Sequence, residues 1–333
     1  MGGRDRTVDS LRGIACILLV TLHVTYDKLD EAQWLDWYGD TFIYIRMPLF
    51  AFLSGVVYAW RPLTDHREYG TFVSKKVRRL LIPYVIFVPL IGASQILLGA
   101  NTAPDLEPWN WILYSLPPYW FLLATFWVYA AVALADSYGL LRTKLNVGIV
   151  FATVLAVNVI FDMQDAEGIL QFTSAVYLGL FFLAGLAATR FGWKNVGRRT
   201  AWAVTGVTAA LFAYTQLAVL DVWAVNANQR QDIFGIALGI AFPLAFIALG
   251  FSNRFLAWIG GYSYGIFLLH PFAIAATSAV LGFLGTPLVL DLVVLSVAGI
   301  LGSIAGVIVL RKVSVGRVML GERAKRKKEP VAA

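Results

Sequence analysis

The chain has 333 residues, 59% of them hydrophobic and only 14% charged, with a mean hydropathy of +0.71. A soluble domain carries about a quarter charged residues, so this composition excludes one. A single cysteine excludes an internal disulfide, three histidines argue against a dedicated metal cluster, and the net charge of +7 points to nucleic acid only until the charges are placed.

The apolar residues fall in blocks of roughly 17–25, the length that spans a bilayer core. In chain order the blocks cover 11–27, 43–60, 80–99, 118–135, 145–161, 170–189, 201–220, 233–250, 258–280 and 287–310. The expectation is an all-α polytopic membrane protein of about ten transmembrane helices. It comprises one membrane domain over 1–310 and a basic tail over 311–333. No small-residue cleavage site follows the first block, which reads as a retained helix and not a signal peptide. Alternating the loops puts 24 of the 27 Lys and Arg residues on one side and leaves Lys28, Arg46 and Arg230 on the other. That bias makes the basic side, with both termini, cytoplasmic. No partner role for nucleic acid remains; the tail reads as an anchor near anionic lipid headgroups.

Ionisable groups inside spanning segments are costly, so each is a functional candidate. In the first block Arg12 and His23 lie eleven residues apart, close to a whole number of turns. They share a helix face about 16 Å apart along the axis. Arg12 sits at the cytoplasmic edge, where a guanidinium forks onto phosphate oxygens. His23 lies deep, where an imidazole suits proton abstraction from an alcohol. Asp27, one turn further, would hold the imidazole's tautomer. The bland alternative makes His23 a helix-packing hydrogen bonder and Arg12 an ordinary inside charge. Cys16 shares this face about 10 Å from the histidine, too far for direct activation, and reads as packing.

The first outer loop is acidic and aromatic, with Asp30, Trp34, Asp36, Trp37 and Tyr38. It is either an interfacial aromatic belt or a platform for a sugar ring. Arg46, at the outer edge of the second block, would bind an anionic acceptor or an acyl carboxylate, or pair with Asp27 or Asp40. His66 lies in a charged loop and reads as solvated. Lys76 and Arg79 share a face just before Pro83 and either grip phosphates or serve as a positive-inside anchor. Pro117-Pro118 breaks the next segment, and Trp109–Leu116 is expected to dip into the membrane without crossing. Gly260-Gly261 and Gly302 with Gly306 read as close helix packing and not phosphate loops. His270, before Pro271, either touches substrate or caps a kinked helix.

Five stretches together resemble the membrane acyltransferase-3 family. They are Asp9-Ser10-Leu11-Arg12-Gly13 running to His23, Met47-Pro48-Leu49-Phe50-Ala51-Phe52-Leu53-Ser54-Gly55, the basic residues from Lys76 to Pro83, Pro118-Tyr119-Trp120-Phe121-Leu122, and Tyr262-Ser263-Tyr264-Gly265 running to Leu269-His270-Pro271. The resemblance implies transfer of an acyl group from cytoplasmic acyl-CoA to a hydroxyl of a sugar, glycolipid or exopolysaccharide precursor. His23 would be the general base, with Asp27 beside it. Arg12, Lys76 and Arg79 would hold the donor. Arg46, Trp120, Tyr264 and His270 are the candidates for substrate contact. No permanently bound cofactor is implied; acetyl-CoA or succinyl-CoA is the donor substrate. Two positions depart from the pattern: Lys76 where an arginine is usual, and Val56 after Ser54-Gly55 where a bulkier residue is common. The exopolysaccharide succinyl or acetyl branch, at the cell inner membrane, is the expected setting. A different class stays open: a secondary transporter or lipid-linked sugar flippase using His23 and Asp27 as a proton relay, although no repeated halves are visible.

Overall fold

The computed structural model describes residues 5–26, 32, 34–97, 107–161, 168–220 and 230–324. The chain is an all-α polytopic membrane protein. Spanning segments must satisfy every backbone polar group internally, and helices do so without neighbours. α1 (Arg6–Tyr26) is followed by a short α2 (Trp34–Thr41) and then by α3 (Ile43–Trp60). α4 (Tyr69–Lys76) runs through a π turn at Val77–Leu81 into α5 (Ile82–Leu97). α6 (Pro108–Tyr114), α7 (Trp120–Ser137), α8 (Lys144–Ile160) and α9 (Phe172–Arg190) come next. α10 (Arg198–Val219), α11 (Ile233–Ala248), α12 (Arg254–Gly260), α13 (Ser263–Leu284), α14 (Leu288–Leu310) and α15 (Ser314–Met319) complete the order.

Among the described residues, nine of the ten apolar blocks each fall mainly on one helix, and one falls on two. Seven helical segments among the described residues are long and apolar enough to cross a membrane, and α8 and α11 are shorter apolar helices. The acidic, aromatic stretch between the first two blocks holds α2, which leads almost directly into α3. The block expected over 258–280 is divided: α12 ends at Gly260, the chain turns through Gly261 and Tyr262, and α13 starts at Ser263. Asn253 starts α12 by accepting from the N–H groups of Phe255 and Leu256.

Lipid supplies no hydrophobic drive between helices, so close backbone approach at small residues holds them together. A Cβ on Gly55 would sit 2.0 Å from the Phe182 carbonyl, and one on Gly185 would sit 2.0 Å from the Phe52 carbonyl. That reciprocal contact joins α3 to α9 and gives the glycine of Ser54-Gly55 a packing reason. α1 meets α12 in the same way: a Cβ on Gly13 would lie 2.1 Å from Leu256 O, and one on Gly260 would lie 1.9 Å from Asp9 O.

The helix ends gather into two sets. On the basic side Lys194 pairs with Asp5 at 2.9 Å, and Ser10 exchanges hydrogen bonds with Asn253. Also there, Arg190 forks onto the buried carboxylate of Asp136, which accepts from the Tyr58 hydroxyl as well. On the other side Thr41 bonds Gln216, Gln171 donates to the Tyr114 carbonyl, and Gln231 donates to the Phe161 carbonyl. The segment after Pro108 forms α6: Trp111 is buried against Gly92 of α5, and Tyr84 donates to the Ile112 carbonyl at 2.7 Å.

Candidate functional site

The site begins with a cavity of about 390 Å³ that opens among the basic-side helix ends. Arg12, Lys76, Arg79 and Arg311 all line it, with Glu322 as the one carboxylate among the lining residues. Ligand sites fall roughly between 300 and 1,000 Å³, so the volume suits one end of a large ligand.

Arg12 is aimed by the residues around it in the sequence. Leu11 is fully buried, Ser10 is tied to Asn253 at the start of α12, and Gly13 lets the two helices touch. Asp9 pairs with Arg12 at 3.2 Å. Each residue from Asp9 to Gly13 therefore has a separate reason to be there, and together they present the guanidinium to the cavity.

Lys76 and Arg79 flank the π turn. Proline has no N–H, so Pro83 leaves the Arg79 carbonyl without its usual backbone donor. The Tyr264 hydroxyl donates to that oxygen, and the Arg79 guanidinium lies over the Tyr264 ring at 4.9 Å. The Lys76 ammonium lies 3.2 Å from the centre of the Tyr129 ring and 5.2 Å from that of Phe72. It enters the cavity as a point charge backed by aromatic faces. Such π turns recur at functional sites.

At the inner end stand three rings. Phe50, Phe121 and Phe267 line the cavity, with centroids 5.6–6.4 Å apart. Phe267 also borders His270 at 6.4 Å. His270 in turn meets His23 edge to face at 4.8 Å. Arg12 lines the cavity, whereas His23 and His270 do not, and packed phenylalanine rings stand between the cavity and His270.

The two histidines are held alike. His23 Nδ1 lies 3.0 Å from the Leu19 carbonyl on its own helix. Pro271 frees the Phe267 carbonyl one turn back, and His270 Nδ1 lies 3.0 Å from it and 2.9 Å from the Ile266 carbonyl. A carbonyl only accepts, so each Nδ1 carries the proton and each neutral ring keeps its lone pair on Nε2. His270 is fully buried and its Nε2 has no protein partner. The pair therefore offers acceptor nitrogens, to which a donor such as a hydroxyl is chemically suited.

The remaining sequence candidates do not line the cavity. Arg46 is buried on α3 and donates to the carbonyls of Tyr38 and Gly39 in α2. Tyr38 in turn donates to Thr21, two residues from His23. Trp120 sits outside the cavity under the Arg230 guanidinium at 5.9 Å. Asp27 lies outside the described residues. Cys16 is fully buried, with its sulfur 3.9 Å from the Ser263 carbonyl. His66 is exposed and stacks on Tyr138. No group of three metal-ligating side chains occurs among the described residues.

Sequence reasoning missed Thr125, Tyr129, Arg311 and Glu322. Thr125 lines the cavity with a buried hydroxyl that has no partner, and one threonine in an apolar helix carries no signal. Arg311 and Glu322 were hidden in a run that read as a lipid-facing tail.

No curated protein and no solved structure matches the chain. A family model described as an acyltransferase domain matches residues 5–312, which takes in every element that builds the cavity walls except the tail. The chain belongs to the membrane acyltransferase-3 family and is a membrane acyltransferase.

Proposed function

We propose that this enzyme transfers an acyl group, acetyl or succinyl, from acyl-CoA to a hydroxyl of a sugar, glycolipid or exopolysaccharide precursor. The donor enters from the basic side, which we take as the cytoplasmic face of ten crossings in the inner membrane. Its phosphates meet Arg12, Lys76 and Arg79. The pantetheine arm runs inward past Thr125 and between the phenylalanine rings, bringing the thioester to the histidines. Family membership favours this chemistry over a proton relay for transport.

The observation that supports the reading is a cavity lined by Arg12, Lys76, Arg79 and three phenylalanine rings, one of which borders the His270–His23 pair. His23 Nε2 takes the proton of the acceptor hydroxyl while its oxygen attacks the thioester carbonyl. The C–S bond then breaks, the ester remains on the acceptor, and the imidazolium returns the proton to the departing thiolate. His270 offers its own Nε2 to orient the hydroxyl. Keeping the step beyond the phenylalanine rings holds bulk water away from the thioester.

Purified protein in nanodiscs, given labelled acetyl-CoA and an extract of the parent lipid-linked glycans, should label a glycan. His23→Ala should reduce this by about 10²–10⁴-fold with donor binding intact. Turnover at the wild-type rate in that variant ends the base assignment.

A further inference from the structure

The tail that follows α14 turns back onto the cavity. Leu320 is buried in its wall, and Gly321, in the left-handed region at φ +66°, rests on the π turn. A Cβ there would come 2.9 Å from the Arg79 carbonyl and 3.0 Å from that of Arg78. Only glycine makes this contact without displacing the turn. The close seat delivers Glu322 to Arg311 at 2.8 Å, with Arg317 at 3.5 Å from its other oxygen. The contact is local in space but draws together the end of α14, the tail and the turn that carries Lys76 and Arg79.

Arg311 is a fourth guanidinium or ammonium on a cavity whose other three cations are Arg12, Lys76 and Arg79. Its present partner is a carboxylate reached over eleven residues. A carboxylate and a phosphate use the same fork of the guanidinium. We propose that Arg311 is a further phosphate ligand of the donor and that Glu322 occupies its fork when the cavity is empty, so donor binding exchanges one anion for another. This rests on the donor reading above and adds to it a residue and a built-in competitor. The exchange sets donor affinity: Glu322 keeps the half-exposed Arg311 oriented, yet must be displaced by the incoming phosphate.

Titration calorimetry on the full chain in detergent tests it, with coenzyme A and inorganic pyrophosphate as probes. Glu322→Gln removes the competing charge but keeps an oxygen that accepts from Arg311, so the seat of the tail survives. It should bind coenzyme A about tenfold more tightly than wild type. Arg311→Gln should bind about tenfold more weakly, and the double variant should match Arg311→Gln. Unchanged or weaker binding in Glu322→Gln at an unchanged melting temperature overturns the proposal. If Arg12→Gln weakens coenzyme A binding while both tail variants match wild type, the donor reading stands and this inference falls. If the tail variants shift pyrophosphate as expected but coenzyme A does not bind, the anion exchange stands and the donor assignment falls. Binding of neither probe to wild type overturns both.

Discussion

The two ends of α1 are built by different means. At the Arg12 end, position is imposed from far along the chain. Ser10 is held by Asn253, Gly13 by the Leu256 backbone, and the facing cations by Tyr264 and the tail at Gly321. At the His23 end, position is imposed by the helix itself, since each imidazole bonds a carbonyl within its own turn. The proposed donor end is therefore a tertiary construction, and the proton-handling end is two local ones brought side by side. Damage to helix packing should strike the first, and damage to a single side chain the second.

The largest expected effect tests the tertiary half. Gly260→Val puts a side chain where a Cβ alone would lie 1.9 Å from the Asp9 carbonyl. Helix α12 must move off α1, taking Arg12 out of register with Lys76 and Arg79. Overpacking of this kind costs about 1–3 kcal/mol, and backbone against backbone has no easy relief. The melting temperature in detergent should fall by several degrees and coenzyme A binding should be lost. Gly148→Ala, with nothing within 4 Å of the added Cβ, is the control and should leave both unchanged. Equal behaviour of the two variants would mean that the α1–α12 contact does not position the arginine.

This division also decides what could be read in advance. The helices, the two-sided charge bias and the Arg12 to His23 register follow from hydropathy and from 3.6 residues per turn. Those are properties of neighbouring residues, and among the described residues nine of the ten apolar blocks each fall mainly on one helix, the break at Gly261 and Tyr262 being the exception. The pairing of His23 with His270 joins residues far apart in the chain, so periodicity carries no trace of it. Of the two alternatives weighed for His270, the geometry shows the capping one: its Nδ1 caps the carbonyl that Pro271 frees, and its Nε2 has no protein partner. The tail hid its acidic residue for the opposite reason. Its basic residues fit a lipid anchor so well that Glu322 drew no attention, although Glu322 is the residue that ties Arg311 and Arg317 together.

The next effect tests the local half. His270→Asn removes the second imidazole and leaves a shorter side chain to serve the Phe267 carbonyl. Turnover should fall by about tenfold or more. Donor affinity should hold within about twofold, because His270 does not line the cavity that carries the cations. Single-turnover rates and calorimetry separate the two quantities. A parallel loss of coenzyme A affinity would erase the distinction between the ends.

Lys76 allows a finer measurement within the donor end. Lys76→Met keeps the stem against Phe72 and Tyr129 but removes the charge, and should weaken coenzyme A binding by about tenfold at low salt. Lys76→Arg restores the residue more usual in the family. A guanidinium stacks on Tyr129 as well as an ammonium does and adds a fork, so affinity should equal or exceed that of wild type by up to about threefold. Turnover at saturating donor should not change in either variant. A fall in turnover at unchanged affinity would assign Lys76 to the chemistry and not to the phosphates.

The smallest effect isolates one hydrogen bond that the proline motif creates. Tyr264→Phe leaves the ring under Arg79 but withdraws the hydroxyl from the Arg79 carbonyl, which Pro83 has deprived of a backbone donor. A hydrogen bond of this kind contributes about 0.5–1.5 kcal/mol. The loss should appear as a small drop in melting temperature and a slight weakening of coenzyme A binding. Pro83→Ala returns an N–H to the helix, and with it a second donor for the orphaned oxygen. In that background Tyr264→Phe should cost less than it does alone, so the double-mutant cycle should be non-additive. Additivity would mean that proline and tyrosine act independently. The recurring basic pair before a proline would then have no structural link to the tyrosine of α13, and the donor end would lose one of the long-range ties that separate it from the histidine end.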